Sequence, residues 1–178
     1  SDARRGPEDL CPPVPFGRDR VCWTVGGSIH VLEADTGNVG WERSIPGEGR
    51  LSLPRVLGKR IYVAGASSLF CLDADTGEVL CSQSLGAGET APVRPLLAVG
   101  GQFGYIARAG RAQASQLDCV QLQERRLLWS RSIPRPFHLL AAGDTLYVRS
   151  QPVLALDGAT GTPLWTHSAS GCSPLTTD

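Results

Sequence analysis

The sequence predicts an all-β fold, a β-propeller of four-stranded antiparallel blades with about four blades in this chain. Three observations predict it. An eleven-residue pattern occurs four times, at residues 31–41, 71–81, 119–129 and 155–165. Its first residues are 40, 48 and 36 positions apart, within the range of propeller and solenoid repeats. Each copy is preceded by two further apolar runs bounded by turns, which makes four short strands per repeat. The 21 Gly and 13 Pro fall between those runs, and no stretch carries a helical period.

The elements follow in order. Residues 1–10 are polar and without periodicity and read as a flexible tether. Blade one takes residues 11–48, blade two 49–88, blade three 89–134 and blade four 135–170, and residues 171–178 read as the start of a further blade or a closing strand. The first strand of each blade is expected at 11–16, 51–57, 92–99 and 136–142, the second at 20–25, 60–64, 102–107 and 145–149. The eleven-residue pattern then supplies the last hairpin. In Cys71-Leu72-Asp73 side chains alternate faces, Ala74-Asp75-Thr76-Gly77 turns, and the chain returns from Glu78 to Ser82. Asp75 is expected to accept backbone N–H groups two residues on, and Gly77 to supply a positive φ. The first and last residues of each copy then face one another across the hairpin.

The pattern resembles the tryptophan-docking motif of quinoprotein-type (PQQ-like) β-propeller repeats: a small residue, an acid two places on, Gly at the seventh place and Trp at the eleventh. The Gly stands at Gly37, Gly77 and Gly161, the Trp at Trp41, Trp129 and Trp165, and the Asp at Asp73 and Asp157; Glu33 and Gln121 depart from it. The resemblance implies that each indole is wedged between its own blade and the Gly peptide of the next. It also implies that four blades are part of a larger propeller, or a half-ring completed by a second copy across a two-fold axis. Blade two carries Cys81 where the others carry Trp. Cys71 and Cys81 read either as small core residues or as a disulfide standing in for the indole, the latter placing the domain outside the cytoplasm. Cys119 faces Trp129 and reads as a buried thiol, and Cys11, Cys22 and Cys172 lie toward the ends.

Chemistry is sparse. Lys+Arg and Asp+Glu balance at 17 each, which disfavours nucleic acid. Arg108 and Arg111, and Arg125 and Arg126, read as solvated loop charges. No apolar run reaches the length of a membrane span. Glu33-x-Asp35-x-Gly37 and Asp73-x-Asp75-x-Gly77 lack the further ligands of a calcium loop and read as turn carboxylates. His30, His138 and His167 belong to different blades. The family's dehydrogenases hold their quinone against a disulfide of adjacent cysteines, beside calcium and a catalytic Asp; this chain has no adjacent cysteines. The reading is therefore a non-catalytic binding or sensor module, with no cofactor and no catalytic, cofactor-binding or metal residues. It resembles the extracytoplasmic sensor repeats attached to some bacterial kinases, and a fragment of a PQQ-dependent dehydrogenase is the alternative. A protein or small ligand is expected on the propeller face, with Gly110, Arg111 and Gln113 as a contact loop, in a secreted, periplasmic or cell-surface setting.

Overall fold

A computed structural model describes residues 12–86, 94–109 and 114–168. The expected tether, the contact loop of Gly110, Arg111 and Gln113, Cys11, Cys172 and the closing strand lie outside the described residues. Within them every regular element is a strand. Sheet one comprises β1 (Val14–Phe16), β2 (Arg20–Val25), β3 (Ser28–Glu33) and β4 (Val39–Ser44). Sheet two comprises β5 (Arg55–Leu57), β6 (Arg60–Ala64), β7 (Ser68–Asp73) and β8 (Val79–Ser84). Sheet three holds β9 (Leu96–Gly100), β10 (Phe103–Ala109), β11 (Ala114–Gln121) and β12 (Arg126–Pro134), and sheet four β13 (His138–Ala142), β14 (Thr145–Arg149), β15 (Val153–Asp157) and β16 (Pro163–His167). Each is an antiparallel sheet in simple chain order, as short turns dictate.

The first strands begin later than expected, β5 at Arg55, β9 at Leu96 and β13 at His138. Pro54, Pro95 and Pro136 stand just before them, and proline has no N–H to give to a ladder. Every eleven-residue copy carries a bulge after its first residue, at Val31/Leu32, Cys71/Leu72, Cys119/Val120 and Ala155/Leu156. The bulge adds local twist and re-aims the side chains that follow.

Sheets two and three bury both faces against their neighbours, so their strands alternate between two cores rather than between core and water. In β6, Ile61 and Val63 pack into the seam with sheet one, where they meet Cys22, Ile29, Val31 and Leu51. Tyr62 and Ala64 point the other way and meet Leu97, Ile106 and Val120 of sheet three. Tyr105, Leu117 and Cys119 fill the third seam against Leu139, Leu146, Val148 and Leu156 of sheet four. Burial of this kind contributes about 25 cal/mol per Å² of apolar surface, and it accounts for the order of the blades.

Candidate functional site

In copies one, two and four the hairpin turn is closed from within by the third residue, Glu33, Asp73 or Asp157. The Asp73 carboxylate accepts from the N–H groups of Asp75 and Thr76, both at 2.9 Å, and from the Thr76 hydroxyl at 3.1 Å. Asp157 does the same with the Thr160 N–H and hydroxyl, at 2.8 and 2.7 Å. The Thr76 N–H holds the Asp73 carboxyl below its ordinary range, and the Thr160 hydroxyl does so for Asp157, because these donors favour the charged form. Asp75, expected to be the acceptor, instead pairs with Arg20 of the preceding blade at 2.7 Å.

The indoles join the blades. Trp41 stands opposite Val31 and Trp129 opposite Cys119 in register, and each ring reaches over the next blade's turn. The Trp41 Nε1–H donates to the Ala74 carbonyl at 3.1 Å, and that of Trp129 to the Gly158 carbonyl, also at 3.1 Å. A Cβ at Gly77 or Gly161 would lie 2.5 Å from the first ring or 2.8 Å from the second, so only glycine fits beneath them. A second link is one that sequence reasoning missed. Arg43, two residues after Trp41, donates from Nε to the Gly77 carbonyl at 3.0 Å, and Arg131 likewise donates to the Gly161 carbonyl. Its signal is Trp-x-Arg, present in copies one and three. Trp165 has the matching position, opposite Ala155, and among the described residues it packs on Tyr147 of its own blade and is 47% exposed. Among the described residues an added Cβ at Gly37 would meet no atom within 4 Å.

The seam between sheets two and three is built differently. Cys81 stands where the others have Trp, Gln83 where copies one and three have Arg, and the acceptor turn carries Leu122 in place of Ala74 or Gly158. Leu122 is buried and fills the space an indole would take. Arg125 replaces the turn glycine at φ 54, a non-glycine with positive φ. The disulfide considered for Cys71 and Cys81 is not formed: the two are register partners but carry free thiols. They pair immediately beside the bulge, where added twist works against the narrow sulfur geometry of a disulfide.

Arg108 supplies the missing link. Its place in the sequence suggests a solvated loop; it is buried, bonded through Nε and Nη2 to Asp118 at 2.9 and 2.7 Å. Its remaining donors cross to sheet two's loops, reaching the carbonyls of Ala66, Leu85 and Gly86 at 3.0, 2.8 and 3.2 Å. Asp118 lies diagonal to Arg108 on the β10–β11 ladder, within reach of a long side chain. Toward the outside of the same seam, Leu57, Lys59, Arg60, Tyr62, Gln102 and Gln123 line a recess of about 270 Å³.

Among the described residues no group of three His, Cys, Asp or Glu converges as a metal site. The residues present do not fit the quinone of the family's dehydrogenases: Cys22, Cys71 and Cys119 are buried in the seams, and none belongs to the first strands β5, β9 and β13. Burial pushes the Cys22 and Cys119 thiols up to about 12, so they stay protonated and unreactive. His138 is held below its ordinary range by burial and by Arg55 and Arg149.

The PQQ_2 family model, described as outer membrane protein assembly factor BamB, matches residues 8–102, more than half of the chain. No curated protein matches the sequence. In structure the chain resembles BamB from Moraxella catarrhalis, with a TM-score of 0.65 at 19% identity over 88% of this chain and 50% of that one. A quinohemoprotein alcohol dehydrogenase from Comamonas testosteroni gives 0.68 at 15% identity, over 88% and 34%. The computationally designed Ika8 protein gives 0.66 at 16% identity, over 90% and 52%. At such identities the likeness is one of fold, and the chain spans from a third to about half of these proteins' length. They include both an assembly factor and an oxidoreductase.

Proposed function

The chain belongs to the PQQ-like β-propeller repeat family, and from that premise we propose that it is a non-catalytic binding or sensor module, part of a larger extracytoplasmic propeller. The observation that supports this most is where the motif residues go. Trp41, Trp129, Asp73, Asp157, Gly77 and Gly161 all serve turns and seams, which leaves recognition to loops and recesses on a rigid disk. The name of the matching family, an assembly factor for outer membrane proteins, agrees with a protein-binding role outside the cytoplasm. No helix among the described residues is long and apolar enough to cross a membrane. A larger protein such as a bacterial kinase is a natural setting for such a sensor.

The half-exposed Trp165 and the Gly37 turn support a reading of how the ring continues. Among the described residues, no neighbouring turn lies under Trp165 and no indole lies over Gly37. A second copy related by a two-fold axis satisfies both at once, blade four of each docking on blade one of the other. Light scattering of the chain should then give twice 18.9 kDa, reduced to 18.9 kDa by Trp165→Ala. A monomer at all concentrations contradicts the half-ring. A fragment of a PQQ-dependent dehydrogenase is the competing reading, favoured by the dehydrogenase neighbour. Reconstitution with the quinone and calcium, followed by dye-linked alcohol oxidation, should give no turnover; activity overturns the non-catalytic reading.

A further inference from the structure

Blades one and two place an arginine at the same point, and among the described residues only Arg20 forms an ion pair with the next blade. Arg20 opens β2 opposite Glu33, and Arg60 opens β6 opposite Asp73. Arg20 crosses to the next blade, donates to the Ala74 carbonyl at 3.0 Å and pairs with Asp75 at 2.7 Å. The corresponding residue of blade three is Gln123, an amide without charge. Arg60 stays beside the Tyr62 hydroxyl, with Lys59 next to it. The Asp73 carboxylate lies within electrostatic reach of Lys59, and its Oδ1 accepts the Asp75 and Thr76 N–H groups of its own turn.

The Lys59, Arg60 and Gln123 side chains are exposed and border one open recess. Lys59, Arg60, Gln102 and Gln123 line the recess between sheets two and three, with Leu57 and Leu122 as apolar wall. Its volume of about 270 Å³ is below that of a site for a large cofactor. Two cations, two amides that can donate hydrogen bonds and a short apolar wall complement a small anionic ligand, since guanidinium and amide donors both match carboxylate oxygens. In the seam between sheets one and two the same location is closed by an internal carboxylate, Asp75; here Gln123 holds that place.

We propose that the recess between blades two and three is a binding site for a carboxylate-bearing ligand, in which the ligand's carboxylate takes the place that Asp75 occupies in the neighbouring seam. This deepens the binding-module reading and rests on it. The carboxylate comes either from a small free acid or from an acidic side chain of a protein loop.

The test uses the whole chain and succinate as probe, followed through the backbone amides, the Arg60 Nε–H and the side-chain amides of Gln102 and Gln123 by nuclear magnetic resonance. Saturable shifts confined to the recess are expected, with a Kd on the order of 1 mM. Arg60→Gln should abolish them. Gln123→Asp installs the internal counter-ion of the neighbouring seam, so it should keep the fold and weaken succinate at least about tenfold, the loss of one charge-assisted bond. A capped aspartate-containing tripeptide run in parallel identifies the source: tighter binding than succinate assigns a protein loop, equal binding a free acid. Absence of saturable shifts, or full succinate affinity in Gln123→Asp, overturns the site. Either result leaves the ring assembly, read separately from solution mass, unaffected.

Discussion

Gly77, like Gly161, combines two constraints. Its φ is +70, and a Cβ would stand 2.5 Å from the Trp41 ring. A left-handed backbone costs an L-residue about 1–2 kcal/mol and overpacking a further 1–3 kcal/mol or so. Gly77→Ala should therefore lower the urea unfolding free energy by about 2–5 kcal/mol. At Gly26, φ is +54 with nothing within 4 Å, so Gly26→Ala should show only the backbone part. Arg125 already bears that strain, and Arg125→Gly should raise stability by about 1 kcal/mol. Gly37, Gly77 and Gly161 are legible in sequence because a tight turn demands them. The reason Arg125 survives is not, because it depends on Cys81 and Leu122, which relax the fit across a seam. Burial of thiols gives a pH prediction at the same scale. Cys22 and Cys119 ionise near 9.0 when unfolded and near 12 when folded. Their contribution is fully present below pH 9.0 and declines as pH rises toward about 12. The urea midpoint should fall over that window, and less steeply in Cys22→Ala/Cys119→Ala.

The hairpin is the element that the repeat pattern describes best, and it closes through Asp73 and Asp157 rather than Asp75. That choice is out of reach of spacing alone, since Asp73 and Asp75 both suit a turn; Arg20, an inter-blade partner, decides it. The same elements set an acid limit. The two carboxyls are depressed by donors of the folded turn, so their contribution is present above the ordinary value near 3.8 and is lost as pH falls through the lower folded value. Asp73→Asn and Asp157→Asn should flatten the loss of stability measured by circular dichroism on acidification. In the seam between sheets two and three the weight passes to Arg108. Removing it in Arg108→Ala leaves Asp118, fully buried, without its cation, a change that typically costs about 3–5 kcal/mol. Arg108→Leu/Asp118→Leu should recover much of that loss in urea unfolding. Sequence proximity to a loop suggests solvent for Arg108, whereas a diagonal partner on the adjoining strand buries it.

Across the whole molecule, blade order and strand count follow from repeat period and turn density, and both are readable in the chain. The seams are readable only where one motif repeats, at Trp41 on Gly77 and Trp129 on Gly161. The middle seam replaces Trp, Arg and Gly together with Cys81, Gln83 and Arg125, and pairs them with Leu122 and Arg108. Those changes compensate each other between residues about forty positions apart, so each looks like decay of the pattern when taken alone. They also leave Gln123, where the preceding seam has Asp75, beside Arg60 in the recess. Indoles holding neighbouring blades together are the premise of this architecture, and a double-mutant cycle measures that contact directly. Urea unfolding of Trp41→Ala, Gly77→Ala and the double variant should give a coupling energy of at least about 1 kcal/mol, while Trp41→Ala with the distant Gly161→Ala should be additive to within about 0.5 kcal/mol. Additivity for Trp41 and Gly77 as well would contradict it.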